Sequence, residues 1–197
     1  MTAFVISQIL LWIVVIVLAF TVFALTRQIG VLHARIAPAG ALSANSMIEV
    51  GDRAPNITEA DINGRSIEIG APTDKSTLLF FLSPDCPICS SLLPALKSSL
   101  QAEKDWLTGI FVSDGDEEHS HKKYIESHDL QSWPYIISQN VGLKFAVSKL
   151  PYAALVDERG IVRSLGMVNT REHLESLFNA KELGVASIQQ YLQKNTA

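Results

Sequence analysis

Cys86 and Cys89 are the only cysteines in the chain of 197 residues, and they stand two residues apart in Ser83-Pro84-Asp85-Cys86-Pro87-Ile88-Cys89. Thiols at this spacing can close on each other. One of them, as thiolate, can also attack a disulfide in another protein while the second resolves the adduct. The apolar run Thr77 to Leu82 just ahead of the pair reads as a buried strand. Pro87 then supports the start of a following helix, since proline has no N–H to lose in the first turn and its φ is already helical. That places Cys86 at a helix N-terminus, where unsatisfied N–H groups and the positive end of the dipole favour thiolate. Cys86 is therefore the candidate nucleophile, and Cys89, about one turn on, the candidate resolving thiol. Two structural cysteines or half of a zinc site are the competing readings of the same spacing.

Positioning these thiols requires a strand, a helix and a sheet to carry them. The helix is expected from Pro87 to about Lys104, with Leu92, Leu93, Leu96 and Leu100 at helical spacing and Pro94 removing one hydrogen bond inside it. Ahead of it, Asn63-Gly64 is a strong turn between short strands at about 57–62 and 65–69. Behind it, strands are expected at 107–113, 135–137, 153–157 and 161–165. Helices are expected at about 116–128, 141–147 and from Asn169 or Thr170 toward Ala180. Strands alternating with helices argue an α/β domain of three layers whose sheet contains parallel neighbours.

The front of the chain is different in kind. No charged side chain occurs from Met1 to Thr26, and Phe4 to Leu25 is almost wholly aliphatic or aromatic. A bilayer needs ~20 such residues, whereas a signal peptide has a shorter apolar stretch behind a basic segment that is missing here. Residues 1–27 therefore read as a single transmembrane anchor, contacting lipid through 4–26, with a cleaved signal as the competing reading. Residues 28–46 read as a juxtamembrane linker, 47–182 as the globular domain, and 183–197 as a tail with room for one more short helix. Arg27 and Arg35 follow the span and no basic residue precedes it, so the positive-inside rule alone points the globular part toward the cytoplasm. The net charge of -4 and the absence of a basic stripe give no surface for nucleic acid.

Several of these stretches together resemble a known family. Val50-Gly51-Asp52-Arg53-Ala54-Pro55, the Asn63-Gly64 turn, Cys86-Pro87-Ile88-Cys89 behind an apolar strand, Pro94, and Leu150-Pro151-Tyr152 before a strand are similar to membrane-anchored thioredoxin-like proteins of the TlpA type. With the N-terminal anchor and Asn169-Thr170-Arg171-Glu172-His173 included, the chain resembles the methylamine dehydrogenase accessory branch of that family. The resemblance implies a thioredoxin-like α/β fold behind one transmembrane helix. It implies a periplasmic thiol-disulfide oxidoreductase on the bacterial inner membrane, serving maturation of the disulfide-rich small subunit of methylamine dehydrogenase together with a membrane or periplasmic redox partner. Carried over by residue, Cys86 attacks, Cys89 resolves, Pro151 is the cis-proline facing the pair, and Leu150 presents its backbone to substrate. No cofactor beyond the Cys86-Cys89 disulfide is implied.

Two departures from thioredoxins proper stand out. Phe80 and Phe81 occupy the strand where those proteins carry a buried acid, and Asp85 stands where they have an aromatic residue. A negative charge beside Cys86 opposes the helix dipole, so the poise of the pair does not transfer from the family.

Three rival functions use the same residues. A peroxidase of the peroxiredoxin type would need Pro-x-x-x-Thr/Ser-x-x-Cys; Ser83 fits, but Leu79 stands at the proline position. A metal site could recruit His119 and His121 to the thiols, although Asp114 to Lys123 reads as a solvated loop and helix start; no metal site is assigned. A docking module without catalysis would leave the cysteine pair unexplained. Trp106 and Trp133 read as core and turn residues, and His173 as a surface or capping residue.

Overall fold

The computed structural model describes residues 2–35, 48–115 and 117–183. The part of the expected 28–46 linker that follows Arg35, and the tail beyond 183, lie outside the described residues. The chain divides into two units, Met1–Ser46 and Met47–Ala197.

The first unit contains α1 (Thr2–Arg35). Within it, Phe4–Val22 is a stretch of 19 residues long and apolar enough to cross a membrane. At helical rise it measures about 28 Å, close to the hydrocarbon thickness of a bilayer. Its described side chains are all exposed, as a lipid-facing surface requires. The Thr21 hydroxyl donates to the Val17 carbonyl at 2.8 Å, which satisfies that polar group within the helix itself.

The second unit opens with a hairpin, β1 (Ile57–Ala60) antiparallel to β2 (Ser66–Ile69), registered Ile57 to Ile69 and Ala60 to Ser66. The central sheet follows: β3 (Ser76–Phe81), β4 (Leu107–Ser113), β5 (Tyr135–Ile137), β6 (Tyr152–Val156) and β7 (Val162–Met167), in the order β5-β4-β3-β6-β7. β3, β4 and β5 run parallel, while β6 and β7 are antiparallel to their neighbours. The connecting helices are α2 (Pro87–Ala102), α3 (Glu118–Ser127), α4 (Gln139–Lys144) and α5 (Arg171–Leu183).

From Leu78 onward β3 is apolar, because both its faces are covered. Leu78 and Phe80 pack with α2, α3 and α5 on one side. Leu79 and Phe81 pack with the hairpin, Val141 of α4 and Phe145 on the other. The domain is thus the expected sandwich of helices around a mixed sheet, with the cysteines at the carboxyl end of its central strand.

One residue of a loop departs from its reading. Most of 114–123 is the exposed loop and helix start expected, but His121 within it is 3% exposed. His121, Tyr124 and Ile125 are the buried residues of α3, and their spacing is that of one helix face turned inward. Polar neighbours on the outer face hide that periodicity in the sequence. Smaller differences concern ends: α2 stops at Ala102 and α3 begins at Glu118, while β7 continues to Met167.

Candidate active site

Cys86 is the N-cap of α2, with extended backbone at φ -94° and ψ 104°, and Pro87 occupies the first turn. Its Sγ accepts the Cys89 N–H at 3.2 Å, taking up one of the donors that the helix start leaves without a partner. The loop before it is closed by Cys86 N–H donating to the Ser83 carbonyl at 3.0 Å. The two sulfurs are joined in a disulfide, with Cα atoms 5.3 Å apart. Their surroundings differ. Cys89 is wholly buried among Leu92, Leu93 and the strand side chains, whereas Cys86 is partly exposed. An incoming thiolate can therefore reach Cys86 and not Cys89. Around it Asp85 and Pro87 are exposed, and Ile88, between the cysteines, is 47% exposed.

The other wall comes from β6. Its antiparallel register pairs Phe81 with Tyr152, which sets Pro151 opposite Leu82, the residue that opens the cysteine loop. The Leu150-Pro151 peptide is cis. The Pro151 carbonyl accepts the Val168 N–H at 3.1 Å, tying it to the end of β7. Leu150 is half-buried and packs against the same core cluster as Cys86. The fold thus brings Cys86, Cys89, Pro87, Leu150 and Pro151 to one end of the sheet.

Beside them is a cleft of about 360 Å³, lined among others by Phe81, Leu82, Ser113, Ser138, Leu143 and Leu150. Leu143, on α4, is 65% exposed while lining it. The start of α4 is held by Glu59 of β1, whose Oε1 accepts from Ser138 Oγ at 2.9 Å and from Asn140 Nδ2 at 3.3 Å. Sequence reading missed both Leu143 and Glu59. An isolated leucine and a carboxylate in a short strand carry no local sign that a fold will place them at one cleft.

Among the described residues no group of three or more His, Cys, Asp or Glu side chains is placed to hold a metal. His119 is exposed, and the His121 ring is engaged with Tyr135. Trp106 is partly buried and donates its indole N–H to Glu103 at 2.5 Å, while Trp133 packs edge-on against Phe111. At the start of α5 the His173 N–H donates to Thr170 Oγ1 at 3.4 Å, and His173 Nδ1 accepts the Asn169 N–H at 3.2 Å.

Residues 50–185 match the AhpC/TSA family. A methylamine utilization protein MauD from Paracoccus versutus is 41% identical over 200 residues, covering 100% of both chains. The MauD protein of Methylorubrum extorquens is 41% identical over 188 residues, 94% of this chain and 90% of that one. Among solved structures, the thioredoxin domain of a thiol-disulfide oxidoreductase from Bacteroides vulgatus superposes with a TM-score of 0.59 at 26% identity, covering 70% of this chain and 99% of that one.

Proposed function

From the premise that this chain belongs to the AhpC/TSA family and, within it, to the methylamine utilization proteins named MauD, we propose that Cys86 and Cys89 exchange disulfides with the small subunit of methylamine dehydrogenase during its maturation. The chain is a thiol-disulfide oxidoreductase of thioredoxin-like fold. The observation that carries the assignment of roles is the asymmetry of the pair: a reachable sulfur at a helix N-cap, and a buried one a turn behind it. In the reducing direction, Cys86 thiolate attacks a partner disulfide, the partner's leaving sulfur departs as thiolate, and Cys89 displaces the partner from Cys86 to close the observed disulfide. The oxidising direction is the same sequence reversed.

Leu150 and Pro151 form the ledge along which the partner's chain lies, and the cleft beside Leu150 takes one of its side chains. A Cys89→Ser variant accumulates mixed disulfides through Cys86, visible as partner adducts on gels without reductant. Adducts that accumulate in Cys86→Ser and not in Cys89→Ser reverse the two roles.

α1 holds the protein in the bacterial inner membrane with the domain in the periplasm, where the substrate is matured and a membrane or periplasmic redox partner resets the pair. After mild reduction, Cys86 in whole cells reacts with a maleimide that cannot cross the inner membrane. Labelling seen only after lysis places the domain in the cytoplasm and removes this role.

A further inference from the structure

The first turns of α2 are weakly held by their own backbone. Pro94 has no N–H to give the carbonyl of Ser90, so one of the bonds that would join the cysteine-bearing segment to the rest of the helix is missing. Two serines ahead of it turn their hydroxyls back on the helix: Ser90 Oγ donates to the Cys86 carbonyl at 3.4 Å, and Ser91 Oγ to the Ile88 carbonyl at 2.8 Å. Such back-bonds compete with the helical ladder and bend it. Cys89, Leu92 and Leu93 bury this segment in the core. Apolar packing is non-directional, however, and does not by itself fix where a backbone N–H points.

A directional tie comes from the neighbouring helix. The Tyr124 hydroxyl of α3 lies 3.1 Å from Ser90 Oγ. The sense of that bond follows from its protons. The Cys86 carbonyl only accepts, and the Ser90 hydroxyl directs its single proton there, so Tyr124 donates to Ser90. Tyr124 is buried, which keeps its phenol protonated. A second tie lies beyond the proline, where Lys97 Nζ donates at 2.8 Å to the carbonyl of His128, the C-cap of α3. Ser90 and Lys97 are about two turns apart on one face of α2, and Tyr124 and His128 about one turn apart on one face of α3. Pro94 falls between the two ties. The helix pair is thus braced on both sides of its weak point, and the Tyr124 tie is the one on the cysteine side.

That side also carries the donor closest to the chemistry. The Cys89 N–H is aimed at Cys86 Sγ, 3.2 Å away. While the disulfide is closed, the covalent link holds the two together. Once it opens, they stay together only if the first turn keeps its place, and the N–H then donates to a thiolate, which makes the stronger bond.

We propose that Tyr124 is a positioning residue that acts through Ser90, holding the first turn of α2 in place when the disulfide is open and so keeping the Cys89 N–H aimed at the Cys86 sulfur. This rests on the oxidoreductase reading above, since only a pair that opens and closes needs such a brace. The titratable groups around it are Tyr124 and Tyr135, both kept as neutral phenols by burial, His128, whose ring centroid is 4.4 Å from that of Tyr124, and Asp85 ahead of the sulfur. All but the Tyr124 phenol itself are the same in every variant below.

The test uses the full chain in detergent, as wild type, Tyr124→Phe, Ser90→Ala and Lys97→Met. The first two variants each remove one hydroxyl and keep the apolar packing, while Lys97→Met cuts the tie beyond Pro94 and leaves the cysteine side braced. Each protein is reduced, its thermal unfolding shows that it is folded at the assay temperature, and the alkylation rate of Cys86 is followed from about pH 5 to 10. In Tyr124→Phe and Ser90→Ala, Cys86 should react about twofold to fivefold more slowly than in wild type near pH 6, with the curves merging above about pH 9.5, where the thiol is ionised in every variant. Lys97→Met should follow the wild-type profile whatever it does to Tm. A Tyr124→Phe profile that coincides with wild type, or lies below it by the same factor at every pH, overturns the proposal. So does a Lys97→Met profile shifted as far as that of Tyr124→Phe, which would reduce both ties to general stability. A wild-type pair that does not equilibrate with glutathione at any pH overturns the oxidoreductase reading, and this inference with it.

Discussion

Asp85 is the residue whose charge most directly opposes its neighbour's chemistry. It is exposed, it immediately precedes the N-cap sulfur, and a carboxylate there works against the positive end of α2. Asp85→Asn should therefore speed alkylation of reduced Cys86 at about pH 6, by about twofold to fivefold for an exposed charge, with the gain shrinking as salt is added. An unchanged rate would mean that solvent already screens the carboxylate. Cys89 shows the opposite condition. Buried among leucines, it is shielded from outside thiols, and the sulfur within its reach is that of Cys86. One C-x-x-C therefore holds two thiols in different surroundings, and in the proposed mechanism burial, not spacing, separates the attacking from the resolving one.

At the level of elements, the hairpin is fastened to the sheet by a close approach of two glycines. Gly70 ends the hairpin at φ +83° and Gly160 turns between β6 and β7 at φ +79°. A Cβ on Gly70 would lie 2.9 Å from the Ala54 carbonyl oxygen and closer still to that of Pro55, and one on Gly160 would press on the Gly70 carbonyl. The Ala54 N–H donates to Gly160 at 2.8 Å, so the opening segment is tied to the same turn. Gly70→Ala combines a left-handed φ with a backbone clash and should lower stability by about 2 kcal/mol or more in urea unfolding. The same hairpin carries Glu59, which holds the start of α4 and with it one wall of the cleft. Loosening the hairpin should weaken recognition of a protein disulfide more than that of a small one such as glutathione. Equal loss on both substrates would show that the cleft plays no part in recognition.

For the whole molecule, acid stability depends on a few buried groups. Asp61 and Asp157 each cap a turn through two backbone N–H groups and an arginine: Asn63, Arg65 and the Arg65 side chain for one, Arg159, Ile161 and Arg163 for the other. Burial by itself would raise both pKa values, but these donors outweigh it and hold both below the usual carboxylate value of 3.8. Folding then favours the carboxylates, and that stability is present above pH 3.8 and lost as pH falls through the lowered values. His121 adds an earlier loss. Its folded pKa lies below 6.5, so the unfolded chain takes the proton first and stability drops as pH falls below 6.5. Thermal unfolding against pH should show both falls, with His121→Gln removing the upper one and Asp61→Asn part of the lower. A flat Tm from pH 7.5 to 5.5 in wild type would contradict the burial of His121.

The sequence by itself determined what local patterns can encode. An uncharged apolar run predicts a helix able to span a bilayer, the run from Thr77 to Leu82 predicts a buried strand, and a proline after a cysteine predicts a thiol at a helix start. Each follows from neighbours along the chain. Tertiary structure alone decided what depends on residues far apart. The register of β3 against β6 brings Pro151 opposite Leu82, and Glu59 reaches across to Ser138. His121 turns from a polar surface letter into a buried ring against Tyr135. Burial and hydrogen bonding across the sheet are properties of the packed layers, and no window of sequence contains both partners.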